Sequence, residues 1–561
     1  MVGAKLRMPG VVYPLQADAE RYAQASILGT ETLDQAFGRI ARTFPDRVAI
    51  SEPGLTISYR ELDELTDRVA AGLLALGLEP LDRVVFQLAN SKELIISFIA
   101  CFKANLIPIC TLAAHRKLEI GFLAAHAKAR AHIIANDDPK FDYVEFARTI
   151  QREVPSMKHI VVAKGSVADT QADVVPFARL IERNDVQSAR QRLAGVERDP
   201  YQVGVFQLSG GTSGVPKIIP RFHNEYLNQI LDVVRFHGLD ENTIAFTPNP
   251  LLHNAPIICY WGPALWNGGE VAVCPSRQPE DIARFLRERR PNWLCIPMPI
   301  LAGLNAAGVV DASLFRHVKA FTVPSAAGVV NKITGAVALP LFGMTEGFIA
   351  YNRAGDSAAA IAGTVGRPIG PMDEYRIVKP ETNEPVAVGE AGEFCCRGPS
   401  VIRGYYDSEE RNREAFTSDG FYRSGDLMRE RLIDGKRYLV FEGRIKDVVS
   451  RGGEKINCQE VERVAIQHPK IAAVSIVPMP DPIYGERACA FVIPKGTAPT
   501  VRELGDFLVE AGLAKFKCPE RIEAISELPL TSAGKISKPR LKEILAGIMA
   551  SEVKPADKAT G

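Results

Sequence analysis

Apolar residues along this chain fall into two alternating rhythms. Short apolar runs at 47–50, 83–88, 107–110, 131–134, 159–162 and 203–208 are separated by longer stretches. In those stretches, at 32–44, 92–104 and 118–128, apolar positions return every three or four residues. The runs have the length and composition of strands, and the stretches have the period of helices. Ser58, with Glu61 three residues on, has the form of a capping box opening a further helix. Alternation of this kind predicts an α/β protein whose parallel sheets are covered by helices.

The texture changes between 378 and 444. Short strand-like pieces at 392–397, 401–406 and 438–442 alternate with Gly, Pro and Asp turns, which predicts a small β-rich subdomain. After Gly443 the α/β pattern resumes, with helices at 459–467 and 501–510 and strands at 472–477 and 489–493. A domain boundary is placed near Asp447. Residues 1–30 read as irregular, and the polar tail from 549 to 561 as disordered.

With 561 residues the chain has room for two to four domains. Lys plus Arg number 67 against 66 Asp plus Glu, a net charge of +1. That lacks the basic excess of nucleic-acid and membrane-surface proteins, so neither partner is expected. The ten cysteines include no Cys-x-x-Cys pair, which favours a reduced, cytoplasmic enzyme over a disulfide scaffold. The N-terminus lacks a signal-peptide core. The most apolar run, 94–102, stops at Lys103, well short of the roughly 20 residues that span a bilayer, and reads as a buried helix.

The strongest chemical signal is Phe206-Gln207-Leu208-Ser209-Gly210-Gly211-Thr212-Ser213-Gly214-Val215-Pro216-Lys217. An apolar strand breaks into glycines and hydroxyls and closes on a lysine. Glycines let backbone N–H groups approach a phosphate, and Ser209, Thr212, Ser213 and Lys217 add donors. A Walker loop would end in Gly-Lys-Ser/Thr and enter a helix, whereas here Ile218-Ile219 continue as a strand. That argues against a kinase or ATPase releasing ADP.

Together with Pro220-Arg221 and His223-Asn224, this string resembles the phosphate loop of the adenylate-forming superfamily. That superfamily holds acyl- and aryl-CoA ligases, stand-alone aryl-acid AMP ligases, adenylation domains and luciferases. Five more stretches fall in its order: 341–347, 422–426, 441–447, 450–456 and 528–536. The resemblance covers about 30–545 and lies closest to the aryl-acid AMP ligases and aryl-CoA ligases. It implies a large N-terminal domain (31–446) of two α/β sheet subdomains and the β-rich subdomain. A small mobile α+β C-terminal domain (447–548) follows, with Asp447 as the hinge.

The resemblance also implies roles. Thr345 touches the α-phosphate of ATP, Glu346 holds Mg²⁺, and Asp426 accepts both ribose hydroxyls. Arg444 belongs to the arginine motif before the hinge, and Lys535 is the catalytic lysine. Ala326, Phe342 and Gly343 bind the nucleotide. His253 joins the catalytic set and, with Asn254, Ala255, Cys259, Ala327 and Gly328, lines the acid pocket. The 323–328 segment sits where relatives carry a glycine-rich strand, and the interval from there to Phe342 is shorter than in the aryl-acid ligases. With Glu346, Asp426, Arg444 and Lys535 intact, a dead nucleotide sensor is disfavoured.

The window 250–261 contains no carboxylate to hold a substrate ammonium, so an amino acid is not the expected substrate. The His253-Asn254 pair resembles that of the aryl-acid ligases, whose asparagine contacts a ring hydroxyl. Small apolar neighbours, Ala255 and Cys259, favour a salicylate-like ring over a dihydroxylated one, whose extra hydroxyl would want a partner. Plain benzoate, an alicyclic acid and a short acyl chain are the alternatives. The acceptor thiol is CoA or the phosphopantetheine of an aryl carrier protein, with no carrier domain expected after Lys535.

Overall fold

The structure is a computed structural model. It describes residues 2–165, 167, 174–209, 216–311, 313–323, 327–380, 382–451, 454–511, 513–531 and 535–552. Two large sheets organise the first part. One runs Val174–Pro176, His159–Gly165, Ala131–Asn136, Arg83–Gln87, Ile107–Ile109, Val203–Leu208, Ile218–Phe222 across its width. Its strands are parallel except the last, Ile218–Phe222, which follows the glycine-rich segment and runs antiparallel to Val203–Leu208. The second sheet has nine strands, parallel from Ala338–Gly343 through to Val48–Glu52 and antiparallel at both edges.

These strands read as unbroken apolar runs because helices cover both faces. Helix Lys92–Lys103 shows how completely. Ser91 caps it by accepting from the Leu94 N–H, and every residue from 94 to 103 is buried. Lys103 ends the apolar run without reaching water. Its ammonium sits 2.6 Å from both Asp63 and Asp67, and a buried cation persists only when paired in this way.

The β-rich subdomain is a four-stranded antiparallel sheet, Glu374–Val378, Gly392–Arg397, Tyr422–Ile433 and Lys436–Arg444, beginning slightly before the sequence pattern does. The C-terminal part has its own mixed sheet: Glu454–Asn457, Val448–Arg451, Gly485–Pro494 and Ile471–Asp481, with Arg521–Ala524 beside Gly485–Pro494. Helices Cys458–Ala465 and Val501–Glu510 close a separate core around Val461, Ile476, Leu504 and Leu508.

Four expectations need correction. Residues 401–406 are not a strand: the run is buried, but its N–H groups go to scattered partners instead of one ladder. Ile402 donates to Glu346 O, Tyr405 to Asn412 and Tyr406 to Ile218 O. The segment 1–30 is not wholly irregular, since Gln16–Gln24 is a helix with Ala19 and Tyr22 buried. Two buried positions among charged neighbours are too few to show a period. The tail is helical through its first residues, because helix Lys538–Glu552 runs on and Glu552 pairs with Arg521. Residues 553–561 lie outside the described residues. Finally, Ala327 and Gly328 open a helix, Ala327–Thr334, where a strand was expected.

Candidate active site

The site lies where the two large sheets, the four-stranded sheet and the C-terminal part meet. Its floor is strand Ile218–Phe222 and the helix His223–His237 that follows. Arg221 is fully buried there, its guanidinium held by Glu225 through two bonds of 2.8 Å. Its remaining N–H groups reach Gln229 Oε1 (2.8 Å), Asn254 Oδ1 (3.3 Å), Thr345 O (3.0 Å) and Ser400 O (3.3 Å).

Above Arg221, the backbone of Thr345, Glu346 and Gly347 is tied down at each carbonyl. Arg221 takes the first, Ile402 N the second and Gln229 Nε2 the third. Gly347 has φ +115°, and a Cβ there would meet Ser400 O at 1.7 Å, so only glycine fits. Glu346 is buried, and its Oε1 accepts from the Tyr405 hydroxyl at 2.8 Å. Tyr422 therefore donates to Tyr405, 2.9 Å away. Lys217 lies over the Tyr405 ring at 4.5 Å. No other hydrogen bond reaches the Glu346 side chain among the described residues. A single carboxylate of this kind suits Mg²⁺, which takes one or two carboxylates and completes its shell with phosphate and water.

Asp426 and Arg444 are register partners across neighbouring strands, and their side chains meet at 3.2 Å. Burial pushes the Asp426 carboxyl up to about 6 against the pull of Arg444. Lys535 comes from the C-terminal part, on a loop pinned by the bridge Leu530↔Ile536 and by Thr531 N donating to Lys535 O. The residue is exposed, and its ammonium lies within electrostatic reach of Asp426 and Arg444. Surrounding protein lowers the ammonium's pKa, Arg444 adds to this, and Asp426 opposes it. His253 faces Lys535. Burial pushes the ring down to about 4, with Lys535 and His115 contributing, so it is neutral near pH 7.

Beyond His253 lies the pocket expected to take the acid. Asn254 is buried, and its Oδ1 also accepts from the Tyr226 hydroxyl at 3.0 Å. Tyr226 in turn accepts from Gln207 Nε2 at 3.0 Å. Ala255 is exposed, and then the chain winds as a π-helix, Pro256–Trp261, that buries Cys259. Such turns recur at functional sites. Burial pushes the Cys259 thiol up to about 12, so it is a small neutral wall and no nucleophile.

Other expected residues are less clearly convergent. Phe342 packs its ring against Phe394 and Phe441, with Gly343 exposed at the strand's end. Ala327 is buried and Gly328 exposed at their helix start. Ser209 donates its backbone N–H to Lys217 O, and its buried hydroxyl has no hydrogen-bond partner among the described residues. Gly210, Gly211, Thr212, Ser213, Gly214 and Ala326 lie outside the described residues. Asp447 ends a 3₁₀ turn, Ile445–Asp447, between the last strand of the four-stranded sheet and the C-terminal sheet. Sequence reasoning gave no role to Gln207, Tyr226, Tyr405 or Arg221. Only Arg221 left a signal, as a charge inside an apolar strand.

Two family models match this chain: the AMP-binding enzyme over residues 37–406 and the AMP-binding enzyme C-terminal domain over 460–535. The chain belongs to the AMP-binding enzyme family, the adenylate-forming ligases. It is 36% identical over 538 residues to the 2,3-dihydroxybenzoate-AMP ligase of Bacillus subtilis, covering 94% of this chain and 96% of that one. It is 34% identical to the salicyl-AMP ligase / salicyl-S-ArCP synthetase of Mycobacterium tuberculosis, covering 94% of each. Further relatives at 33–34% identity are named as a CoA synthase and a CoA ligase. The apo structure of MbtA from Mycobacterium smegmatis superposes with a TM-score of 0.71 at 29% identity, over 95% of this chain and 98% of that one. Among the described residues, no helix is long and apolar enough to cross a membrane.

Proposed function

We propose that this protein uses ATP to activate a salicylate-like aromatic acid as its acyl-adenylate, then passes the acyl group to a thiol. The carrying observation is that Lys535, Asp426, Arg444 and His253 lie within electrostatic reach of one another, beside a segment, 250–261, that carries no carboxylate. In the first step a carboxylate oxygen bonds to the α-phosphorus as the bond to the β-phosphate oxygen breaks, and pyrophosphate leaves. Two anions must approach, so the site needs positive charge and donors more than a base.

Lys535 supplies the charge between the acid carboxylate and the α-phosphate. Those anions also restore the proton affinity that its surroundings lower. Asp426, held by Arg444, accepts from the ribose hydroxyls. Residues 209–217 cradle the outer phosphates, with the Ser209 hydroxyl, which has no partner among the described residues, as one of the donors. Thr345 faces the α-phosphate, and Glu346 would hold Mg²⁺, which when bound offsets phosphate charge. In the second step the thiol of CoA, or of a carrier protein's phosphopantetheine, attacks the acyl carbon and AMP leaves.

The reading is tested by ATP–pyrophosphate exchange over a panel of carboxylic acids. Salicylate should lead, with benzoate behind it. A wild-type enzyme that prefers hexanoate to every aromatic acid would end the aryl reading. Asn254→Ala should erase the preference for salicylate while retaining benzoate activity. The lost preference should be about tenfold, the worth of one hydrogen bond of ordinary strength.

A further inference from the structure

We propose that Arg221 is a positioning residue that joins the acid pocket to the phosphate side of the site. It fixes which atom Asn254 shows the acid and where the backbone under Thr345 lies. The inference rests on the aryl-acid reading and specifies its substrate.

A guanidinium carries only donors, so the amide atom of Asn254 that faces Arg221 must be its oxygen. Tyr226 reinforces the assignment. Its oxygen accepts from Gln207 Nε2, and its one proton goes to the same Asn254 Oδ1. With Oδ1 engaged from two sides, the amide can offer the pocket only N–H donors.

That asymmetry selects among ortho substituents. In salicylate the phenolic proton turns to the adjacent carboxylate, leaving an oxygen lone pair pointing outward as an acceptor. In anthranilate one N–H turns inward and the other points outward, so two donors would face each other. Benzoate offers neither. The geometry therefore ranks an ortho-oxygen acid above the unsubstituted ring, and the ortho-amino acid last.

The same guanidinium nitrogen that binds Asn254 also donates to Thr345 O. Gln229, which accepts from Arg221, donates onward to Gly347 O. The strip expected to face the α-phosphate thus rests on the same support as the acid-reading amide. Because one guanidinium holds both Asn254 Oδ1 and Thr345 O, displacing it disturbs both.

The test uses full-length Arg221→Lys and Tyr226→Phe, each first shown to be folded by its thermal transition. Exchange rates are measured with salicylate, benzoate and anthranilate, and ATP binding is measured by calorimetry without acid. Tyr226→Phe should narrow the salicylate-to-anthranilate ratio severalfold and leave ATP affinity unchanged. Arg221→Lys should narrow it by about tenfold or more and weaken ATP binding as well. If Arg221→Lys slows all three acids by one factor with ATP affinity intact, the residue is only a structural ion pair and the proposal fails. If that variant does not fold, Tyr226→Phe decides alone, and unchanged acid ratios overturn the proposal. A wild type that favours anthranilate over benzoate overturns the amide assignment. One that activates no aromatic acid overturns the aryl reading beneath it.

Discussion

Burial makes Asp426 a reluctant anion, and that is a cost of the ribose-binding task proposed for it. Ribose hydroxyls need a carboxylate to accept them, yet the folded protein raises this group from its ordinary 3.8 to about 6. Because the folded pKa is raised, the stability this group contributes is fully present below its unfolded value. It is lost as pH rises through about 6. Asp426→Asn should therefore stabilise the protein at pH 8, by at most about 3 kcal/mol, with the gain shrinking toward pH 4. Arg444, 43% exposed, keeps water when its partner is neutral. The variant should bind ATP more weakly while leaving acid preference alone. Denaturant unfolding across pH checks the first claim, and an equal gain at pH 5 and pH 8 would refute it.

At the scale of elements, the sequence shows what burial on both faces writes into it. The strands Arg83–Gln87 and Val203–Leu208 stand out for the uncharged apolar runs at 84–86 and 203–206, and the 92–104 helix for its almost wholly apolar run at 94–102. The segment 401–406 is also mostly apolar and mostly buried, but periodicity cannot show that its backbone has no ladder. Tyr405, its contact with Glu346 included, was lost with that misreading. The π-winding of Pro256–Trp261 is invisible for a related reason, since one wide turn leaves no period. Arg221 was legible as an oddity only. Its five partner residues come from positions 225, 229, 254, 345 and 400, and no local pattern joins them. The turn Ile445–Asp447 carries an expectation of its own. Proline at 447 would fix φ and remove an N–H. If this turn is the hinge, Asp447→Pro should harm thioester formation more than adenylation. Unchanged rates in both half-reactions would place the hinge elsewhere.

At the scale of the whole molecule, two bodies contribute residues to one candidate active site. The N-terminal part supplies Asp426, Arg444 and His253, and the C-terminal part supplies Lys535. The contacts around Glu442 that cross between them are polar: Asn457 Nδ2 donates to Glu442 O, and Arg463 approaches the Glu442 carboxylate at 3.6 Å. Arg463 is 59% exposed, and an ion pair that open to water holds two bodies only weakly. Meanwhile each part keeps its own apolar core. Such an arrangement favours a rigid-body rotation over a fixed union. Lys535 lies within electrostatic reach of Asp426, and on the proposed reading the thiol step would begin once the C-terminal part has turned away. Lys535→Ala should then lower adenylate formation by at least about a hundredfold, the scale expected when a charge aimed at the transition state is removed. Thioester formation from supplied acyl-adenylate should stay within a few-fold of wild type, because Lys535 has no part in it. The two rates are measured separately, pyrophosphate release for one and AMP release from acyl-adenylate and thiol for the other. Equal losses in both would mean that Lys535 stays in place throughout and that the two bodies do not rotate.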